Sequence, residues 1–197
     1  MSEHAVTKHH QSEDDSKLTT GFWIYLMTDC VLFASLFATY AVLRNNTYGG
    51  PTGVEVFNLP LILVATLLLL TSSFTCGMAL LAAKHRDKNA LLMWLGLTLF
   101  LGLGFLGIEL TEFSQLIAEG NSWQRSGFLS AFFTLVGTHG LHISVGLLWL
   151  FIMAVYIVRR GITEIVVKRM TIFSLFWHFL DIIWIFIFTI VYMMGKA

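Results

Sequence analysis

Charge and proline are both scarce in this sequence. Only 12% of its 197 residues are charged, about half the share that a soluble domain carries. Proline occurs twice, whereas phenylalanine occurs 17 times and 56% of the residues are hydrophobic. This composition favours a membrane protein over a soluble domain. The formal net charge of zero offers no basic surface, so we expect no nucleic-acid partner.

Cysteine is scarce as well, and no secretory signal is visible. Cys30 and Cys76 lie far apart in apolar stretches, and no Cys-x-x-Cys pair occurs. A disulfide framework or a thiolate metal site is therefore not expected. A secretory signal would place an apolar core near the N-terminus, but residues 1–20 are polar. We interpret them as a polar, solvated tail.

Five long apolar stretches follow the tail, and each is long enough to cross a membrane as a helix of about 20 residues. The stretches cover about residues 21–43, 60–83, 90–110, 128–158 and 171–195. Backbone groups in lipid must satisfy their own hydrogen bonds, and the alternation typical of a barrel strand is absent. The sequence predicts an all-α integral membrane bundle of five transmembrane helices, forming one domain over residues 21–197.

The basic residues between the stretches predict the orientation of the bundle, because cytoplasmic loops are enriched in lysine and arginine. With five spans, the N-terminal tail shares its side with the second and fourth links. That side carries nine basic residues, namely Lys8, Lys17, Lys84, Arg86, Lys88, Arg159, Arg160, Lys168 and Arg169. The other side carries three, namely Arg44, Arg125 and Lys196. We therefore expect a cytoplasmic N-terminus and a periplasmic C-terminus.

Seven ionisable residues interrupt the apolar stretches, and six of them form pairs three residues apart, a spacing that puts both members on one helix face. The seven are Asp29, the pair Glu109 and Glu112, the pair His139 and His142, and the pair His178 and Asp181. A charged aspartate at mid-bilayer costs about 2.5–3.5 kcal/mol on insertion scales, so such residues face protein or water, or stay protonated. We predict that all seven belong to a buried polar network between helices.

The residues alone leave several functions open. His139 or His142 opposite His178 would supply at most one pair of axial haem ligands. Asp29 is either a proton-exchanging site or a structural acid. No Gly-x-Ser-x-Gly element supports a hydrolase, and no broken-helix pair supports a carrier. The lack of a complete active site indicates a subunit, with an autonomous haem-binding or proton-handling membrane protein as the alternative.

Several motifs nevertheless carry a resemblance to a known family. They are LMTDCVLF (26–33), ELTEF (109–113), RSGFLSAFF (125–133), THGLHISVG (138–146) and WHFLDIIWIFIF (177–188). In this order, they resemble the signatures of subunit III of the haem-copper oxidases. The five-helix length, together with GFWIYLMTDC (21–30) and GGPTG (49–53), is most similar to the ubiquinol-oxidising, cytochrome bo-type branch of that family.

The resemblance implies a non-catalytic subunit of a proton-pumping terminal oxidase in the bacterial inner membrane. It implies no catalytic residue and no metal or haem in this chain, since haems and copper belong to subunit I, which oxidises quinol and reduces oxygen. Subunit I is the implied direct partner, with subunits II and IV in the same complex. The resemblance also implies a cleft that holds phospholipid and a role in sustained turnover and proton uptake.

The resemblance also assigns roles by position. Asp29 matches the family's carbodiimide-reactive carboxylate and is therefore the candidate proton-related residue. Other positions match recurring polar residues that tie helices together, namely Glu112, His139, His142, His178 and Asp181.

Overall fold

The computed structural model describes residues 3–47 and 59–194, and helices account for most of them. The helices are α1 (Glu3–Leu43), α2 (Leu59–Lys84), α3 (Lys88–Ala118), α4 (Gly127–Arg160) and α5 (Glu164–Ile187), and a π-helical turn over Phe188–Met193 continues α5. No strand occurs in the two described ranges. Each of the five helices contains a stretch long and apolar enough to span a membrane. The predicted all-α bundle with five such helices is confirmed, whereas its orientation stays a prediction.

The helices extend beyond the apolar stretches that predict them. The first helix begins at Glu3, so its backbone is helical through most of the polar tail and into the first span. The third ends at Ala118 rather than near residue 110, and the fifth begins at Glu164 rather than near residue 171. Hydropathy marks the part of a helix that suits hydrocarbon, whereas backbone hydrogen bonding continues into polar sequence. The GGPTG segment and residue 195 lie outside the described residues.

Short polar residues and two glycines define the helix ends. Asp87, Ser126 and Thr163 precede α3, α4 and α5, and each side chain accepts a hydrogen bond from backbone N–H groups of the first turn. Such caps satisfy donors that the helix itself leaves unpaired. Gly120 and Gly161 follow α3 and α4 with φ of 79° and 74°. Glycine adopts this left-handed conformation without a steric penalty, so the chain turns there.

Helices α4 and α5 form the centre of the bundle. Helix α4 packs against α1, α3 and α5, while α2 lies along α3 and α5. Helix α1 packs mainly on α4 and touches α5 over a smaller area. No comparable packing joins α1 to α2 within the described parts of the chain. One side of α5 is therefore left uncovered between its neighbours.

Trp177 fills the space where the central helices come closest. A Cβ atom on Gly102 of α3 would lie 3.2 Å from the Trp177 ring, and one on Gly146 of α4 would lie 2.9 Å from it. The indole Nε1–H donates to Ser72 Oγ of α2 at 3.1 Å. Small residues let membrane helices approach closely. One buried tryptophan of α5 thereby contacts α2, α3 and α4.

The outside of the bundle is apolar. Phe100 of α3 is 73% exposed and Val31 of α1 is 71% exposed. Exposed side chains of this kind recur along all five helices. A broad apolar exterior suits a lipid environment, in which such surface carries no penalty.

Candidate functional site

Asp29 of α1 and His142 of α4 meet near the middle of their helices. Asp29 is 6% exposed, and its Oδ2 lies 3.7 Å from His142 Nε2. His142 Nδ1 lies 2.7 Å from Thr138 O. A carbonyl oxygen only accepts hydrogen bonds, so Nδ1 carries a proton and Nε2 is the ring atom that faces the acid. The acid–imidazole pair thus joins α1 to α4.

His139 lies one turn before His142 in a box of aromatic rings. Its ring stacks on Trp184 of α5 at a centroid distance of 5.3 Å. Phe33 of α1 and Phe105 of α3 present ring edges to it at 6.4 Å and 6.0 Å. The imidazole is fully buried, and neither ring nitrogen has a hydrogen-bond partner within the described ranges. His139 therefore acts chiefly as an aromatic packing element between four helices.

Glu109 of α3 lies against the backbone of α4. A Cβ atom on Gly140 would come within 2.5 Å of Glu109 Oε1. The side chain is 4% exposed, and neither carboxylate oxygen is hydrogen-bonded to the residues that the structure describes. The glycine at position 140 is what allows this carboxyl group to fit between the two helices.

Glu112, one turn further along α3, meets the end of α5. Tyr192 is fully buried, and its hydroxyl donates to Glu112 Oε2 at 3.1 Å. Tyr192 belongs to the π-helical turn that ends α5. In the same turn, Val191 O accepts a hydrogen bond of 3.4 Å from the Tyr40 hydroxyl of α1. The wider π-helical turn, a feature that recurs at functional positions, thus brings α1, α3 and α5 together where they end.

His178 and Asp181 of α5 lie in different environments. Asp181 is buried beside Ser73 of α2, and its Oδ1 has no hydrogen-bond partner among the described residues. His178 is exposed, and its Nδ1 lies 2.6 Å from Ser174 O of its own helix. The burial that the sequence predicts for His178 is therefore not found in the single chain. Residues at positions i and i+3 share one face of a helix, but this face is broad. Asp181 therefore lies against a neighbouring helix while His178 lies outside that contact.

Two hydrogen bonds from buried indoles add to these polar contacts, and the sequence analysis missed both. Trp184 Nε1–H donates to Thr66 Oγ1 of α2 at 3.1 Å, as Trp177 does to Ser72 of the same helix. Thr66 and Ser72 are six residues apart, and Trp177 and Trp184 are seven apart, so the two donor–acceptor pairs lie at similar separations along α2 and α5. The two spacings are not equal, so no matched spacing in the sequence would have paired α2 with α5.

These polar residues form separate contacts rather than one continuous site. Asp29 and His142 join α1 to α4, Glu112 and Tyr192 join α3 to α5, and Asp181 joins α5 to α2. Among the side chains that the structure describes, no group of three or more from histidine, cysteine, aspartate or glutamate is placed to hold a metal ion. The arrangement suits the alignment of helices inside a membrane, where interhelical polar contacts add to packing.

Comparison with known proteins assigns the chain to a family. The family model for cytochrome c oxidase subunit III matches residues 1–196. A protein of Pseudomonas aeruginosa (strain PAO1), named cytochrome bo(3) ubiquinol oxidase subunit 3, is 55% identical over 98% of this chain and 93% of its own length.

Relatives from other bacteria carry related names. A protein of Bacillus sp. (strain PS3), named cytochrome c oxidase subunit 3, is 47% identical over 90% of this chain and 86% of its own length. A quinol oxidase subunit 3 of Bacillus subtilis (strain 168) is 44% identical over 94% of this chain and 91% of its own length. The family model, which matches residues 1–196, spans all five helices.

Proposed function

The chain belongs to the cytochrome c oxidase subunit III family of the haem-copper oxidases, and we propose that it is the non-catalytic third subunit of a proton-pumping terminal quinol oxidase. The observation that carries this proposal is the 55% identity, over 98% of the chain, to a relative named as a ubiquinol oxidase subunit 3. The PS3 relative named for cytochrome c is 47% identical, which favours quinol as the electron donor of the complex. The chain is a multi-pass membrane protein, and aerobic respiration is the process it would serve.

In this proposal, the redox chemistry takes place in subunit I, which holds the haems and copper, and this chain binds none of them. The packing of His139 and His142 supports this assignment of the cofactors to subunit I. His139 is enclosed by aromatic rings, and His142 is directed at Asp29. Each imidazole thus has a role in joining helices that needs no cofactor.

The proposed location is the bacterial inner membrane, with the N-terminus in the cytoplasm and the C-terminus in the periplasm. The support is the distribution of lysine and arginine, nine on one side and three on the other. Subunit I is the proposed direct partner, and subunits II and IV complete the complex. Labelling of single cysteines placed at residues 17 and 125 from either side of the membrane tests this topology.

A groove between α1 and α4 is the proposed place for phospholipid. It has a volume of about 130 Å³ and is lined by Leu36, Thr39, Leu43, Ser130, Ala131 and Thr134. The three hydroxyl groups donate to backbone carbonyl oxygens at 2.7–2.8 Å. Because their donors are already used, the groove suits an acyl chain better than a polar ligand.

Asp29 is the proposed proton-related carboxylate, acting indirectly on proton supply to subunit I. Its support is burial at mid-helix beside His142. Asp29→Asn should shorten the turnover lifetime of the oxidase or lower its proton pumping. Thr28→Val is the matched control, since the neighbouring Thr28 hydroxyl only donates to Tyr25 O of its own helix. Unchanged lifetime and pumping in Asp29→Asn would exclude the role.

The proposed function is tested by purifying the tagged chain in mild detergent. We expect larger companion subunits by mass spectrometry, together with haem bands in a reduced-minus-oxidised spectrum. Those bands should disappear when this chain is separated from its companions. Haem that stays with the isolated chain would instead make His139, His142 and His178 ligands and overturn the proposal.

A further inference from the structure

His178 lies inside the apolar stretch of α5. The helix Glu164–Met193 is long enough to cross a membrane, but its first turns carry Glu164, Lys168 and Arg169, so the apolar part begins near residue 171. At about 1.5 Å per residue, His178 lies about 10 Å inside the hydrocarbon core. Ionisable residues at this depth almost always face protein or a water-filled cavity. In the single chain, however, His178 is exposed.

The hydrogen bond of the ring defines which atom is exposed to the surroundings. His178 Nδ1 lies 2.6 Å from Ser174 O. Since the carbonyl oxygen accepts, Nδ1 carries the proton, and the neutral ring presents the Nε2 lone pair as a hydrogen-bond acceptor. Within the parts of the chain that the structure describes, this Nε2 has no hydrogen-bond partner.

His142 shows the same arrangement with a neighbouring helix in place. Its Nδ1 contacts the carbonyl oxygen four residues earlier, at 2.7 Å, as in His178. Its Nε2 then faces a carboxyl group of a neighbouring helix, Asp29, at 3.7 Å. His178 makes the same hydrogen bond to its own helix, but in the single chain no neighbouring helix lies at its Nε2 atom.

The surroundings of His178 form one exposed strip of α5, which we call the His178 face: Thr171, His178, Ile182, Ile185 and Thr189. Both threonine hydroxyls donate to carbonyl oxygens of their own helix, at 3.0 Å and 2.8 Å. Their donors are therefore satisfied without a partner. The isoleucines are suited to packing against another apolar helix. His178 Nε2 is thus the one strong acceptor of this face that still needs a donor.

We propose that the His178 face is the docking surface for a transmembrane helix of another subunit, which donates a hydrogen bond to His178 Nε2. The donor is a side-chain hydroxyl, amide or indole N–H group at the depth of His178 in the membrane. An acyl chain would cover the isoleucines equally well, but it offers no donor, and an acceptor left unpaired in hydrocarbon is costly. The inference rests on the proposed function, because it requires a complex with further membrane subunits.

The first test identifies the molecule that covers this face in the intact complex. A photoreactive amino acid is placed at Ile182, which is one turn from His178 and 53% exposed, so that the histidine is retained. We expect a covalent product with a membrane-spanning segment of another subunit, identified by mass spectrometry. Products with phospholipid or quinone alone would overturn the proposal.

The second test addresses the hydrogen bond itself. His178→Leu should lower the recovery of the complex about threefold to tenfold, the range expected for interhelical hydrogen bonds in membranes. His178→Gln keeps a side-chain acceptor and should restore most of the recovery. Thr171→Val is the matched control on the same face, and it should have little effect because the lost hydroxyl is bonded within α5. Equal recovery of the leucine and glutamine variants would contradict the proposed hydrogen bond.

The two proposals fail in different ways. If companion subunits co-purify but position 182 reacts only with lipid, the docking surface is wrong and the proposed function stands. If the intact chain has no companion subunits at all, both are wrong.

Discussion

Gly146→Ala should destabilise the bundle, because the added methyl group enters the contact between α4 and α5. A Cβ at this position would lie 2.9 Å from Trp177 Cζ3 and 3.2 Å from Phe176 Cε1. The Trp177 ring has little room to retreat. Its Nε1–H is bonded to Ser72, and Phe173 stacks on it at a centroid distance of 5.6 Å. Either the ring or the α4 backbone has to move.

The magnitude follows from two opposing effects. Overpacking in a well-packed core costs about 1–3 kcal/mol. Replacing a mid-helix glycine by alanine contributes about 0.5–1 kcal/mol of stability through the backbone. The net expectation for Gly146→Ala is a loss of about 0–2.5 kcal/mol, centred near 1 kcal/mol. Glycines whose Cβ would meet no close atom should show only the stabilising effect.

The chain offers matched controls for this prediction. A Cβ on Gly137 of α4 would lie 3.6 Å from Phe113, an ordinary contact, and a Cβ on Gly96 of α3 would meet nothing within 4 Å. The assay is the Tm of the detergent-solubilised complex, followed by size-exclusion chromatography of a fluorescently tagged chain. Gly146→Ala should lower the Tm, whereas both control substitutions should leave it unchanged or raise it. If all three variants behave alike, the close approach of Trp177 to α4 is refuted.

Three further changes test other contacts. Tyr192→Phe should cost about 1–3 kcal/mol, because the buried Glu112 Oε2 loses its donor. Thermal unfolding measures this cost, and an equal loss in a Glu112→Leu background, which has no acceptor, would contradict the bond. Asp181→Leu should lower recovery of the complex without changing the haem spectrum, and a selective loss of haem with normal assembly would count against a purely structural aspartate. Arg86→Ala should change stability by no more than about 1 kcal/mol, because the ion pair with Glu164 is exposed on both sides, and a larger fall in Tm would show otherwise.

The number and type of helices could be predicted from the sequence, because both depend on local chemistry. A run of about 20 apolar residues without charge is itself the physical requirement for spanning a membrane. The ends of the helices depend on capping instead. Ser126 and Thr163 accept hydrogen bonds from the first turns of α4 and α5, and polar helical segments continue past the apolar stretch. Hydropathy does not report these features, so α3 ends later and α5 begins earlier than predicted.

The candidate site was predictable in its residues but not in its contacts. The spacing of Glu109 and Glu112 predicts a polar face on α3, yet it does not predict that one carboxyl group lies against Gly140 and the other meets Tyr192. The position of Tyr192 depends on the π-helical turn after Ile187. A wider turn shifts every later side chain around the helix axis, and no local signal in the sequence marks it.

The two histidines that bond to their own helix show most clearly where sequence reasoning stops. His142 and His178 share the same rotamer-defining contact with the carbonyl four residues earlier, and each has another ionisable residue three positions away. Nothing in that pattern says that one faces α1 and the other faces outward. The difference comes from which side of its helix is covered, and this depends on the packing of all five helices. His178 is exposed within an apolar stretch, whereas Asp29, Glu109, Glu112, His139 and Asp181 are buried in the bundle, so we expect His178 to contact another molecule. For His178, the unused Nε2 acceptor indicates that this molecule has a hydrogen-bond donor.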